Sequence, residues 1–355
     1  MWNQQFVMME NFDVNELLKN VKSIQDQTQY WLIRTMGGDY YTEYVGENYV
    51  AVGYNEITIE DLKYLPPKDK QARIVLQTIL KDRRNSIRNA GYPASQILRF
   101  AREIREGDII IVPSSSSFKV TFGVIKSDLY QEIKNLHLEG RCPFSKRRKV
   151  EWLKTVPRHL LPPELQLMFN SRHIISEVNS YAPFIDSFLN DFYTKGDNTY
   201  LVLRVKQEQI LSADDFTLVN DLMELFNEYS VEHDMGLTSK DIKMKMSVQS
   251  PGDILTFAPF PEAIAVIGFF IMFIKGGTFS MNWGGFHLET KVPTAGETFS
   301  KVASSVNLFL NDSRRRSVIK KLEKKLDNMD IETPAAIIEL MKELGKDRDS
   351  ESGEK

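Results

Sequence analysis

Cysteine is almost missing from these 355 residues. Cys142 stands alone, which excludes an internal disulfide framework, and the five histidines have no cysteine partners at zinc-site spacing. A reducing cytosol fits this composition, so the protein is read as cytoplasmic. No secretory signal opens the chain, because Met1 to Asn20 carries acidic and polar residues where a positive start and an apolar stretch belong. Neither sign of charge dominates: 45 Lys and Arg face 48 Asp and Glu, so any contact with phosphates must come from a local patch. Walker-type phosphate loops and dinucleotide fingerprints do not occur. Long apolar runs are also scarce. The strongest, Ile254 to Ile274, is interrupted by Pro259, Pro261 and Glu262, and its unbroken part, Ala263 to Ile274, is too short to cross a hydrocarbon core of about 30 Å. It reads as a buried helix or a homo-oligomer contact, with a membrane-inserted hairpin or tilted span as the alternative.

A chain of this length has room for two or three domains, each with its own core. Asn11 to Gln27 reads as a polar helical leader, with Leu17, Leu18 and Val21 on one face. From Tyr30 the pattern turns to strands, Tyr30 to Arg34 and Tyr49 to Tyr54, rich in aromatic and β-branched residues. Ile74 to Ala90 is helical by periodicity, and a second helix, Ala94 to Ile104, follows the break at Gly91-Tyr92-Pro93. Gly107-Asp108 leads into the strand Ile109 to Val112, a serine-rich loop from Pro113 to Ser117, and the strand Phe118 to Ile125, the outline of a hairpin in a small barrel. A basic stretch, Arg141 to Lys149, runs into the strand Val150 to Leu153, and the domain is expected to end near Pro157. Beyond it, helices from Pro162 to Tyr193, a strand Tyr200 to Val205, a helix Asp214 to Tyr229 and a strand from Lys243 to Val248 predict an α/β region over 161–312. A helical pair at 313–345 and a charged, disordered tail at 346–355 close the chain.

The order of the N-terminal pieces carries a resemblance. Tyr30-Trp31-Leu32-Ile33-Arg34, the helices around Arg84 to Asn89, Gly107-Asp108-Ile109-Ile110-Ile111-Val112 and Gly123-Val124-Ile125 together resemble the EVE family of PUA-like domains. Thr35-Met36-Gly37-Gly38 stands where that family usually has an acidic-proline turn. Arg147-Arg148-Lys149-Val150-Glu151-Trp152-Leu153-Lys154 and Tyr49 to Tyr54 are similar to the N-terminal modules of Mrr-type restriction and phage-defence proteins. The resemblance implies an α+β chain: a PUA-like small β-barrel with flanking helices over 30–160, followed by a separate α/β C-terminal region. It also implies a reader of modified or unpaired bases in a bacterial anti-phage or restriction-type defence system, with no cofactor. The expected partner is a nucleic acid, DNA ahead of RNA.

An unstacked base loses a few kcal/mol that aromatic faces and polar edges can replace. Trp31, Tyr54 and Trp152 are the candidate faces, and Asn55, Asn89, Ser114, Ser115 and Ser116 the candidate edge readers. Against this, aromatics in a small barrel more often fill its core. Phosphate contacts are expected from Arg84, Arg88, Arg147, Arg148 and Lys149, set against the bland alternative of a solvated basic face. For catalysis the residues offer little, so no catalytic or metal residues are assigned. Asp197 and Glu208 flank a strand as a metal nuclease requires, but Lys206-Gln207-Glu208 has the wrong order, which leaves a degenerate Mrr-like nuclease as a minor alternative. His233-Asp234 are neighbours on a loop and should point apart. A membrane-associated effector using 254–274 is the rival from another class.

Overall fold

In the computed structural model, residues 21–84, 86–133, 140–207, 212–246, 252–275 and 297–339 are described. The elements to Leu189 are β1 (Lys22–Ile24), β2 (Tyr30–Ile33), α1 (Tyr41–Gly46), β3 (Tyr49–Val52), α2 (Ile59–Lys63), α3 (Asp69–Arg83), α4 (Gly91–Leu98), β4 (Ile109–Pro113), β5 (Lys119–Ile125), β6 (Tyr130–Gln131), β7 (Lys146–Pro157), α5 (Pro163–Gln166), β8 (Ile175–Glu177) and α6 (Ala182–Leu189). The chain is mixed α+β and divides into two compact units. One is Gln27–Leu189; the other joins the segment before Gln27 to everything from Asn190 onward.

The first unit is built on a sheet of order β3-β7-β5-β4-β2-β8. Its curl comes from β7, a strand of 12 residues that passes from β3 to β5 along its length, with β6 paired to it at Arg147 and Lys146. Lys146 to Lys149 pair with β3, and Val150 to Pro157 pair with β5. A register shift between Phe122 and Gly123 bends the pair further, and glycine is required there. A Cβ on Gly123 would lie 2.5 Å from Val150 Cγ1 and 2.6 Å from Trp152 Cε3. The result is a half-barrel. Trp31, Ile33, Ile110, Val112 and Val150 fill one face, and Tyr30, Leu32, Ile111, Val120 and Phe122 the other.

The expected end near Pro157 falls short. Leu165, Met168, Phe169, Ile185 and Phe188 cover the second face, and β8 adds to the sheet beside β2, so the unit needs the chain to Leu189. The predicted helical leader is also corrected where it can be seen: β1 is a strand, paired parallel with Tyr193 to Lys195. The rest of the leader, up to residue 20, lies outside the described residues, as does the tail at 346–355.

The second unit contains β9 (Phe192–Lys195), β10 (Asn198–Val205), α7 (Leu218–Glu232), β11 (Lys243–Met246), β12 (Gly252–Ala258), α8 (Pro261–Lys275), α9 (Glu297–Leu310) and α10 (Arg316–Asn328), with sheet order β1-β9-β10-β12-β11. The apolar segment splits at its prolines. Ile254 to Ala258 lie in β12, and α8 begins at Pro261, where a missing N–H is harmless. Ile264, Val266, Ile267, Phe269, Phe270 and Ile271 of α8 are buried among side chains of β10, α7, α9 and α10. A helix apolar all round belongs in a core, and this one has its cover within its own unit. Of the two expected readings of 254–274, a buried helix or a homo-oligomer contact, the described residues show the buried helix. No helix among the described residues is long and apolar enough to cross a membrane. The predicted helical pair also belongs to this core: Leu322 and Leu326 of α10 pack in it with Ile337.

Candidate nucleic-acid interface

Most residues singled out in the sequence are structural. Trp31 is buried, and its indole Nε1 donates to Asp108 Oδ2 at 2.9 Å. Trp152 packs against the same cluster and donates to the Tyr44 carbonyl at 3.2 Å. Asn55 is exposed, but both ends of its amide are taken: Nδ2 donates to Pro143 O at 2.6 Å, and Oδ1 accepts from the backbone N–H of Ser145 at 3.0 Å. It pins the loop that carries Cys142, whose thiol burial pushes up from its usual range.

The basic stretch turns inward. Arg147 is buried, donating to Phe144 O and Cys142 O, with its guanidinium 4.0 Å from the Tyr49 ring centroid. Arg148 is buried and donates to Phe100 O, Ser127 O and Ala101 O at 3.1 to 3.2 Å. Both are therefore corrected from phosphate ligands to cross-links inside the unit: Arg147 gives two hydrogen bonds and Arg148 three to carbonyls of the non-strand segments packed on β7. Lys149 is exposed. Lys146, in the same basic stretch, is buried, and its Nζ donates to Tyr54 O and Ile57 O at 2.8 and 2.9 Å. Burial lowers its pKa to about 8. Those bonds hold Tyr54 at φ +63°, a conformation that costs a non-glycine residue about 1 kcal/mol or more.

The serine-rich loop sits elsewhere. Ser114 Oγ accepts from the Lys119 N–H at 2.8 Å, Ser116 takes φ +52°, and Ser115 and Ser116 are exposed. The loop packs on the Gly37-Gly38 turn, where a Cβ on Gly38 would come within 2.2 Å of the Ser115 backbone. This explains Gly38, where the turn and the loop close too tightly for a side chain; Gly37 has open space around it and sits at φ +74°, a conformation glycine adopts without strain.

A different set of residues does converge. α3 and α4 line a groove of about 460 Å³ with Arg73, Gln77, Asn89, Tyr92, Ser95 and Arg99, and His173 faces them. Tyr92 and His173 form a tilted ring pair, centroids 5.6 Å apart at 31°. The Tyr92 hydroxyl accepts the Ile174 N–H at 2.9 Å, which fixes the ring. Arg99 opens a π-helical turn, Arg99–Glu103, a local widening that recurs at functional sites. Its Nη1 donates to Ile175 O at 3.0 Å, and its Nε to Glu103 at 3.2 Å.

A domain of unknown function, DUF8426, matches residues 31–170. No curated protein matches the chain. The DUF8426 match takes in the half-barrel, α3 and α4, and stops just short of His173. It also covers the basic part of the chain. Residues 27–189 hold 23 Lys and Arg against 18 Asp and Glu, while the remainder holds 22 against 30. The near-neutral total conceals this contrast.

Of the predicted base readers, Asn89 alone lines the groove, donor and acceptor from one amide, with Oδ1 accepting the Gly91 N–H at 3.0 Å. Tyr54 stands near it: burial raises its phenol pKa, with Tyr92 and Glu56 adding to the rise and Arg84 opposing it. Arg84 and Arg88 are exposed on the connection between α3 and α4, Arg84 pairing with Glu56 at 3.2 Å. The missed residues had a legible signal. Arg73 and Gln77 are four apart, and Tyr92, Ser95 and Arg99 keep three-and-four spacing, so each helix presents a polar face. His173 had none, because nothing in the sequence ties it to a helix eighty residues earlier.

Proposed function

We propose that the Gln27–Leu189 unit is a PUA-like reader of nucleic acid that takes an unpaired or modified base at the groove of α3 and α4. The observation that carries this is the Tyr92–His173 ring pair, set in a cavity whose remaining lining is amide, hydroxyl and guanidinium. Stacking on aromatic faces is worth about 1–3 kcal/mol per base and works for any base, while Asn89, Gln77 and Ser95 supply the directional hydrogen bonds that choose among them. Arg73 and Arg99 place positive charge within the groove, and Arg84, Arg88 and Lys149 place it on the surface of the same unit. The volume suits a nucleobase with part of its sugar rather than a duplex, which favours an extruded or single-stranded base. The resemblance to restriction and phage-defence modules supports DNA ahead of RNA and a role in recognising foreign or modified DNA.

The test is fluorescence anisotropy of the full chain with matched oligonucleotides, single-stranded, duplex, and modified at cytosine or adenine, over a salt series. Tyr92→Ala and His173→Ala should each weaken binding by about tenfold at constant salt, with the fold retained. Affinity in both variants unchanged from that of the unaltered chain, or no binding of any oligonucleotide by the unaltered chain, overturns the reading.

A further inference from the structure

The groove continues past Arg99 and His173 into a second cavity of about 610 Å³, lined also by Leu167, Met168, Ser176, Glu177 and Tyr181. Its wall is the outer edge of β8, the last strand of the sheet. β8 pairs antiparallel with β2: Leu32 lies opposite Ser176 and Trp31 opposite Glu177, and Val178 donates to Tyr30 O at 2.8 Å. In such a ladder alternate residues bond inward, so Ile175 and Glu177 turn their N–H and C=O groups away from β2. The two are treated differently. Ile175 is closed off by α4, with its N–H donating to Gln96 Oε1 at 2.7 Å and its C=O accepting from Arg99 at 3.0 Å. Glu177 is exposed at the cavity, and neither β2 nor α4 takes up its outward pair.

We infer that this edge is a second base subsite, in which the backbone N–H and C=O of Glu177 pair with the edge of the base next to the one stacked at Tyr92–His173, and the Glu177 carboxylate selects an amino-bearing base. The inference rests on the nucleic-acid reading of the first groove. Three observations favour a base over an added peptide strand. Gln96 and Arg99 already occupy the edge at Ile175, and the strand ends at Glu177, with the turn Asn179–Tyr181 following, so a peptide would find one open residue instead of a ladder. A lone donor–acceptor pair matches one base edge, such as the adjacent acceptor and amino donor of cytosine or adenine. Arg99 and His173 line both cavities, which sets the two subsites at neighbouring positions along one strand. A carboxylate beside that pair accepts from an exocyclic amine and opposes the carbonyl that thymine or uracil presents instead.

Binding of fluorescein-labelled dC12 and dT12 to the full chain tests this, together with amide shifts of chain labelled with ¹⁵N-glutamate on adding CMP or UMP. The expected result is a preference of about tenfold for dC12 and a Glu177 amide shift with CMP that exceeds the shift with UMP. Glu177→Ala should abolish the preference while leaving measurable binding. Glu177→Pro, which removes only an outward N–H and fits an edge strand, should weaken both oligonucleotides further. Tyr92→Ala should weaken both while leaving their ratio intact. Equal binding of dC12 and dT12 by the unaltered chain, or a Glu177→Ala variant with its preference intact, overturns the subsite and leaves the first groove standing. If neither oligonucleotide binds, the first reading fails and the subsite, which rests on it, falls with it.

Discussion

Trp31 Nε1 and the backbone N–H of Arg105 share one oxygen of Asp108, each at 2.9 Å, while the other oxygen accepts the Gln29 N–H at 3.0 Å. The buried carboxylate thus ties the start of β2 to the turn that opens β4. Trp31→Phe keeps an aromatic ring but removes one of the two donors to the shared oxygen, and Asp108→Ala strands three donors. We expect losses of about 1–2 kcal/mol for the first and about 3 kcal/mol or more for the second, measured by urea denaturation. A Trp31→Phe chain that keeps its stability but loses oligonucleotide binding would return Trp31 to the role of a base platform.

Arg147 and Arg148 separate two explanations of the basic stretch. As internal cross-links they touch no phosphate, and their replacement by alanine leaves buried carbonyls unpaired, so each change should lower stability by about 2–4 kcal/mol. Arg88→Ala and Lys149→Ala should change stability by less than about 0.5 kcal/mol. If these two side chains neutralise phosphates, each replacement should reduce the slope of log K against log salt by about 0.9 on duplex DNA. Denaturation midpoints and salt-series affinities on the same four variants decide the matter; stable Arg147 and Arg148 variants with reduced slopes would reverse the assignment.

Lys146 makes part of the stability pH-dependent. Its pKa in the fold is about 8, below the ordinary lysine value, because burial disfavours the charged form. Between pH 8 and about 10.4 the unfolded chain therefore binds more protons than the fold, and this group's contribution to stability rises with pH. Buried Tyr44 and Cys142 have raised pKa values and act in the opposite direction, so the comparison must be with Lys146→Met. The destabilisation caused by Lys146→Met should grow by about 1–3 kcal/mol between pH 7.5 and pH 10. A constant difference across that range would show that the ammonium is not held at a cost.

Helix α8 should behave as core. Phe270 lies within ring contact of Tyr229 and Phe309, centroids 5.8 and 6.0 Å away. Phe270→Ala should cost about 3–5 kcal/mol, and Gly268→Leu should also destabilise, because a Cβ there already meets Ile337 Cδ1 at 2.9 Å. Thermal unfolding read beside light scattering distinguishes this from an interface: a dimer that dissociates into stable monomers on Phe270→Ala would contradict the packing.

Local pattern reached far in this chain. Strands rich in Val, Ile and aromatics were placed within a residue or two, as in Tyr30–Ile33 and Tyr49–Val52, because alternation and β-branching act over a few residues. The helix at Ile74 to Ala90 was found but set too late; Asp69 begins it and Arg83 ends it. His233 turns not to its neighbour Asp234 but to the Tyr229 carbonyl one helical turn back, at 3.0 Å from Nδ1, and to a residue distant in sequence. Its Nε2 lies 2.7 Å from Ser305 Oγ, and Ser305 accepts from Tyr229 at 2.9 Å.

By itself the sequence determined the mixed α+β class, the N-terminal strand order and the existence of an apolar helix too short for a membrane, since all three are written in periodicity, length and punctuation. Only tertiary structure decided which charges face water. Arg147, Arg148 and Lys149 read alike along the chain, and what packs on the two faces of β7 buries the first two against carbonyls while leaving the third, on the same face as Arg147, exposed. It also decided the candidate site. His173 meets Tyr92 because β8 returns to the sheet beside β2, and the open edge at Glu177 exists because α4 covers the strand one pair short of it. Such meetings depend on burial and register summed over distant segments, and no local window of residues contains them.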